Sequence, residues 1–195
     1  MSQCADGMPL ERLHLGLAEQ GKLHALAGDQ KLALAHYREA MRLAVQSGAS
    51  EVFFRHYLDC ILESLEQMEA FAEVLESCDR AVRHYAENPP ANPVARLDLA
   101  TIHQRRGAVL LKAGRPAEAR PALEAALALV RESQQALPLA RTLLRWVAGG
   151  LHVDARRVLA EQQRCGYFTV RPGNVMPDRA IPLPARKEND HALPR

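Results

Sequence analysis

Apolar residues recur along this chain at intervals of three and four, not two. After Gly28 come Ala33, Tyr37, Ala40 and Met41; after Glu69-Ala70-Phe71 come Val74, Cys78, Ala81 and Val82; after Gly114 come Ala119, Leu123, Ala126 and Leu127. Each set occupies i, i+4, i+7 and i+8, one face of a helix with 3.6 residues per turn. A weaker copy, Ala155, Leu159 and Gln162, follows Gly150. From Leu10 to about Arg164 the chain is dominated by Ala, Leu, Arg, Glu and Gln, with few β-branched residues and no strand-like alternation, which predicts an all-α fold. Gly28-Asp29, Ser47-Gly48, Asn88-Pro89-Pro90, Gly114-Arg115-Pro116 and Gly149-Gly150 cut it into helices of roughly 14–20 residues. Asn92 before Pro93 offers an N-cap acceptor and then a residue with no N–H to satisfy.

Each striped helix is preceded by one with a matching pattern: Leu17 with Gly21, Leu58 with Ile61, Leu62 and Leu65, Gly107 with Leu110, and Leu139 with Leu143 and Trp146. Gly21 and Gly107 would let one backbone approach its partner helix, whose stripe fills the space opposite. The small residue late in each second helix falls at Ala40, Ala81 and Ala126, with Gln162 in the fourth copy, giving spacings of 41, 45 and 36. A period in this range is the mark of a helical repeat array. The alternative is a non-repetitive helical bundle, since Ala- and Leu-rich helices generate stripes of their own.

The pattern resembles the tetratricopeptide repeat (TPR) family. Leu17-Ala18-Glu19-Gln20-Gly21 with Ala33-Leu34-Ala35-His36-Tyr37-Arg38-Glu39-Ala40 carries the likeness in the first copy; Gly107-Ala108-Val109-Leu110 with Gly114 to Leu127 carries it in the third. Pro121 and the long spacings are similar to the long-helix subtype found in kinesin light chains and bacterial scaffold and sensor proteins. The likeness covers about residues 12–165. Departures are His24 in place of an aromatic, Arg106 in place of an apolar residue, no glycine in the second turn, and Gln162 in place of alanine.

The resemblance implies a right-handed α-solenoid of about four helix hairpins over residues 10–165. A flexible stretch, 1–9, would precede it, and a Pro-rich tail, 166–195, would follow. It also implies that function lies on the inner face lined by the first helix of each pair. On the family's pattern those residues are Leu15, Ala18 and Lys22, then His56, Asp59, Glu63 and Glu66, then Thr101, Gln104, Arg105 and Lys112, then Ala140, Arg141 and Leu144. A basic part of an extended ligand would meet Asp59, Glu63 and Glu66, and an acidic part or terminal carboxylate would meet Arg105, Lys112 and Arg141. The family's two-carboxylate clamp needs Lys and Asn together in the first copy, and only Lys22 is offered.

Composition removes other classes. The 195 residues are 48% hydrophobic and carry a formal charge of +2, no attraction for nucleic acid or a membrane surface. The charge is divided, with net +5 over residues 139–195 and −3 over 1–138, read as a solvated arginine surface or a basic end for an acidic partner. No apolar run approaches ~20 residues and the first seven residues do not form a signal, so a cytoplasmic protein is expected. Cys4, Cys60, Cys78 and Cys165 are widely spaced and read as free thiols, and no two of His14, His24, His36 and His56 have i, i+4 spacing. No cofactor or metal is expected. Phosphate loops, GxSxG and HExxH are missing, and Glu63 with Glu66 reads as a charged helix face and not a catalytic pair.

Pro172, Pro177, Pro182, Pro184 and Pro194 forbid a long helix after Gly166. Tyr167, Phe168, Val170, Val175, Met176, Ile181 and Leu183 are nonetheless too apolar for a solvated linker. Its first half is expected to pack on the last helix pair or in the groove. Two functions follow: a non-enzymatic adaptor or scaffold, chaperone-like or an assembly factor, that binds another protein or peptide; or a sensor whose tail occupies the groove until displaced. Self-association through Leu144, Trp146 and Val147 of the last pair is a third expectation.

Overall fold

The computed structural model describes residues 9–133 and 135–183. Among them there are no strands. Eight α-helices occur in the order α1 (Leu10–Leu26), α2 (Gln30–Gln46), α3 (Glu51–Gln67), α4 (Phe71–Glu87), α5 (Pro93–Lys112), α6 (Pro116–Leu129), α7 (Pro138–Ala148) and α8 (Ala155–Arg164), followed by 3₁₀ turns at Pro172–Asn174 and Pro177–Arg179. The stretch expected to be flexible before residue 9, and the end of the tail with Pro184 and Pro194, lie outside the described residues. So does Cys4.

Caps set the boundaries. Asp29, Asn92 and Asp154 accept from the backbone N–H of Leu32, Ala95 and Arg157, and Pro93, Pro116 and Pro138 occupy first-turn positions that need no N–H partner. Leu137, before α7, has no capping side chain. Gln104 of α5 supplies the missing acceptor, taking the Ala140 N–H at 3.1 Å. Pro121 stands inside α6 and the helix runs through it. The last two helices, of 11 and 10 residues, are shorter than the predicted range, because Gly150 turns left-handed and the Asp154 cap restarts the chain.

The chain forms two compact units, one comprising residues up to Ser64 and from Val170 on, the other Leu65–Thr169. In the first, α1 packs along α2. Leu17, Ala18, Ala40, Leu43, Ala44 and Tyr57 of α3 make one buried cluster, and Ala33, Tyr37 and Cys60 a second. His14 joins α1 to α3 through a 2.7 Å hydrogen bond with the Tyr57 hydroxyl. In the second unit consecutive helices from α4 to α8 pack on one another, with α5 also touching α7 and α8. Ala119, Leu123 and Ala126 of α6 are wholly buried, as are Ala108, Val109, Leu110 and Leu111 of α5.

The interlocking predicted at Gly21 and Gly107 is present in both units. A Cβ on Gly21 would lie 2.6 Å from Tyr37 Cε1, and one on Gly107 would lie 2.6 Å from Leu123 Cδ2. Two stripes differ from expectation. In α8 the buried residues are Val158, Glu161 and Gln162, with Ala155 and Leu159 half-buried, so the buried face is turned by about one residue from the expected stripe. In α4 the buried residues are Val74, Leu75 and Cys78, while Ala81 and Val82 are half-buried.

The turn lacking a glycine follows the same path as the others. Gly114 closes α5 with φ 72°, and Glu69, at the corresponding place after α3, takes φ 60°. A side chain in this region is strained by contact between Cβ and the backbone. Replacing Glu69 by glycine relieves that contact at the cost of a freer unfolded chain, for a net gain of about 0.5–1 kcal/mol. Urea unfolding of Glu69→Gly is therefore expected to give a higher midpoint than wild type; an equal or lower midpoint would show the turn to be unstrained.

Candidate functional site

The first unit's site is built on α1, whose turns expose Gly16, Glu19 and Lys22 to the returning chain. Residues 170–183 run over it with their backbone alternately extended and wound into 3₁₀ turns that begin at Pro172 and Pro177. Five main-chain groups of this segment are held by helix residues. The Val170 N–H donates to a Glu63 carboxylate oxygen at 3.1 Å, and the Asn174 carbonyl accepts from Lys22 Nζ at 3.2 Å. The Met176 N–H donates to Glu19 Oε2 at 2.7 Å, the Ile181 N–H to the Gly16 carbonyl at 2.9 Å, and the Leu183 N–H to His36 Nε2 at 3.1 Å. Glu19 also accepts from Lys22 at 2.8 Å, so one ion pair presents a donor and an acceptor to the bound backbone. Val170 packs on the Ala33–Tyr37–Cys60 cluster and Leu183 on the cluster around Leu17 and Tyr57.

His36 has a defined proton state here. Its Nδ1 lies 2.8 Å from the Leu32 carbonyl, which only accepts, so the proton sits on Nδ1 and neutral Nε2 is the acceptor for Leu183. Burial holds His36 below the ordinary imidazole value of 6.5; the Leu32 carbonyl opposes this and the adjacent His24 ring, 4.8 Å away, adds to it. Burial also lowers His14 and His56 in the same unit.

The second unit buries a charge. Glu66 is 2% exposed and its Oε1 accepts from Lys112 Nζ at 2.8 Å and from Gln162 Nε2 at 2.6 Å, while Oε2 accepts from the Tyr167 hydroxyl at 3.0 Å. Arg105 Nε donates to the same hydroxyl at 3.2 Å, and the Lys112 ammonium lies 5.9 Å from the Phe168 ring centre. Burial, then the Glu66 carboxylate, pushes the Tyr167 phenol well above its ordinary range. Cys78 is pushed up to about 11, chiefly by burial, which keeps this thiol protonated and unreactive at neutral pH.

The predicted lining residues therefore separate. Lys22 and Glu63 meet the tail in the first unit; His56 is half-buried with its Nε2 3.9 Å from Cys60 Sγ, and Asp59 is half-buried beside it in sequence. In the second unit Glu66, Arg105 and Lys112 come together. Gln104 is a helix cap, the Thr101 hydroxyl donates to the Asp98 carbonyl on an exposed face, and Arg141 is exposed. Three expectations are corrected. Glu63 and Glu66 do not form an exposed charged face, because both are buried and satisfied by tail or core donors. Lys112 does not await a ligand carboxylate, being neutralised by Glu66. Trp146 is not a bare apolar end, because the Arg157 guanidinium lies 4.4 Å from its ring centre.

Sequence reasoning missed Gly16, Glu19 and His36, which hold the main-chain N–H groups of Ile181, Met176 and Leu183. No helix stripe passes through them, and only the apolar character of the tail hinted that something would need covering. Among the described residues no three His, Cys, Asp or Glu side chains are placed to hold a metal, and no helix is long and apolar enough to cross a membrane.

Removing the Glu66 carboxylate strands Lys112, Gln162 and Tyr167 in a dry core. Glu66→Ala is expected to destabilise the protein by about 3–5 kcal/mol, and Glu66→Ala/Lys112→Met to recover part of the loss, by denaturant unfolding. Acid should act through the histidines that burial holds below 6.5: His14, His36 and His56 in the first unit and His103 in the second. A histidine held below 6.5 when folded takes up its proton more readily when unfolded, so its stabilisation is complete above 6.5 and is lost as the pH falls through the folded value. Scanned from about pH 8 to about pH 5, the unfolding midpoint should fall on the acid side, less steeply in His36→Gln. A His36→Gln profile as steep as that of wild type would contradict the lowered titration of His36. Set against known proteins, the chain matches no family model, no curated protein and no solved structure.

Proposed function

We propose that this chain is a non-enzymatic adaptor that binds an extended segment of another protein, a TPR-like, right-handed stack of about four helix hairpins in which the C-terminal tail acts as an intramolecular occupant. The observation that carries the reading is the capture of residues 170–183 through main-chain groups by Gly16, Glu19, Lys22, His36 and Glu63. Every peptide has such groups, so a face that satisfies them in one segment is suited to others of the same conformation. Glu19, Lys22 and Glu63 are charged, which makes their bonds to the segment stronger than neutral ones. The glycine-to-large-residue seating of α1 on α2 and α5 on α6 supports the repeat reading.

The regulatory form of this function is favoured over a constitutively open adaptor because the segment is tethered. A tethered competitor acts at an effective concentration of the order of millimolar, and a partner binds only the fraction of molecules whose tail has left. Ile181→Asp/Leu183→Asp in the full-length chain places two carboxylates against apolar seats and should release the tail without touching the helices. Affinity capture from a native lysate is expected to recover proteins with this variant that wild type recovers about tenfold less. They should be lost again when Glu19→Lys and Glu63→Lys are added. Identical recovery by all three chains would overturn the reading.

A further inference from the structure

The last described residues of the tail are held more specifically than the rest. The Ile181 N–H is bonded to the Gly16 carbonyl at 2.9 Å and the Leu183 N–H to His36 Nε2 at 3.1 Å; between them stands Pro182, exposed and without an N–H. Thus the two residues that have N–H groups deliver them to the protein, and the one facing solvent has none to lose. Side chains alternate in the same way, as extended backbone requires. Ile181 and Leu183 turn toward the helices and Pro182 away. Proline also disfavours helical backbone in the residue before it, so Ile181 is held extended before it binds.

Gly16 is shaped for this segment. The two glycines that seat helices, Gly21 and Gly107, face side chains of Tyr37 and Leu123; the atoms nearest a Cβ on Gly16 all belong to the tail. Such a Cβ would stand 2.5 Å from Ile181 Cγ1 and 2.9 Å from the Arg179 carbonyl oxygen. A side chain could turn aside, but the Arg179 backbone is fixed by its 3₁₀ turn. Gly16 is therefore missing a side chain in the middle of a helix, where glycine costs about 1 kcal/mol against alanine, and only the tail uses the space. Leu183 completes the seat on the cluster of Leu17, Ala18, Ala40, Leu43, Ala44 and Tyr57.

We infer that the first unit recognises an aliphatic–Pro–aliphatic core in an extended partner segment, with Ile181-Pro182-Leu183 as the resident copy that such a partner displaces. This rests on the adaptor reading and adds the ligand's chemistry to it. The aliphatic residue before proline is read by the bare Gly16 backbone, the residue after it by the Leu17–Tyr57 cluster and by the lone pair on His36. A charged or aromatic residue at the first position would meet helix backbone, and a residue other than proline at the centre would keep its N–H in solvent and lose the stiffening.

The test uses fluorescence anisotropy with a labelled synthetic peptide of the sequence from Val170 to Leu183. Wild type, whose site is filled, should bind it at least about tenfold more weakly than the full-length Ile181→Asp/Leu183→Asp chain. Adding Gly16→Ala to the open chain should remove at least about tenfold of that affinity, although alanine is the better helix former and the variant should unfold no more easily than its parent. A peptide with proline replaced by alanine should bind several-fold more weakly, and one carrying both aspartates not detectably. Equal binding of the peptides with Ile-Pro-Leu and Asp-Pro-Asp would overturn the motif. So would undiminished binding to the Gly16→Ala chain. If the open chain still captures proteins from lysate in that case, the adaptor reading survives and only the motif falls; if it captures nothing either, both fall. A wild-type dimer in sedimentation that Ile181→Asp/Leu183→Asp turns into a monomer would assign the seat to a second copy's tail and overturn the proposal.

Discussion

At three glycines among the described residues a helix backbone is approached more closely than any side chain would allow. Gly21 takes the ring of Tyr37, Gly107 takes Leu123, and Gly16 takes Ile181. The first two set how near a hairpin's helices lie and hence which residues of the second helix are sealed from water: Ala33, Tyr37 and Ala40 in one case, Ala119, Leu123 and Ala126 in the other. Packing at this density leaves no freedom to slide, because moving a helix by one residue would place a Cβ where the glycine hydrogen now lies. The third contact uses the same geometry to hold a segment with no helix of its own.

Buried charge divides the polar chemistry of the molecule in a comparable way. Glu66 is excluded from water and therefore needs its donors, which arrive from α5 (Lys112), α8 (Gln162) and the segment after α8 (Tyr167). An ion pair in such a place contributes specificity more than net stability, since its Coulomb energy is largely offset by desolvation. A chain folded with α8 in another register would leave the carboxylate unsatisfied, so the network selects one arrangement of the second unit's C-terminal half. Glu63, one turn earlier on the same helix, has a backbone N–H of the tail as a partner instead. Two carboxylates three residues apart thus serve different ends: one fixes a core and the other holds a main-chain N–H of the returning tail.

What could be read from the amino-acid order followed the strength of the local signal. Helix existence, the Asn92-Pro93 start, the Gly114 stop and the seats at Gly21 and Gly107 depend on neighbours in sequence, and the structure has them. The α8 stripe is only partly as expected: Gln162 is buried, but Val158 and Glu161 take the places beside it and leave Ala155 and Leu159 half-buried. Burial of Glu63, Glu66 and Lys112 was not legible, since a charge on a helix looks solvated until a distant segment closes over it. Gln162 shows the difficulty best: it appeared as a flaw in the fourth stripe, where alanine was expected, and is instead a donor to a buried carboxylate.

The tail, too, changes meaning when its halves are separated. Tyr167 and Phe168 belong to the second unit and touch its buried charges, whereas Val170 to Leu183 belong to the first. A truncation placed after Gly166 would remove the Tyr167 donor from Glu66 along with the peptide-like segment, and loss of function in such a chain would report a damaged core. Thr169 is the last residue of the second unit before the chain returns to the first. On its far side, among the described residues, the main chain of Val170, Asn174, Met176, Ile181 and Leu183 and the aliphatic side chains of Val170, Ile181 and Leu183 meet the helices, groups that another segment of like chemistry would also offer. On its near side Tyr167 and Phe168 contact a buried ion pair, which loses a hydrogen-bond donor if Tyr167 is removed. Under the proposed adaptor function, exchange would be confined by this chemistry to the residues after Thr169, and the rest of the chain would be free to be rigid.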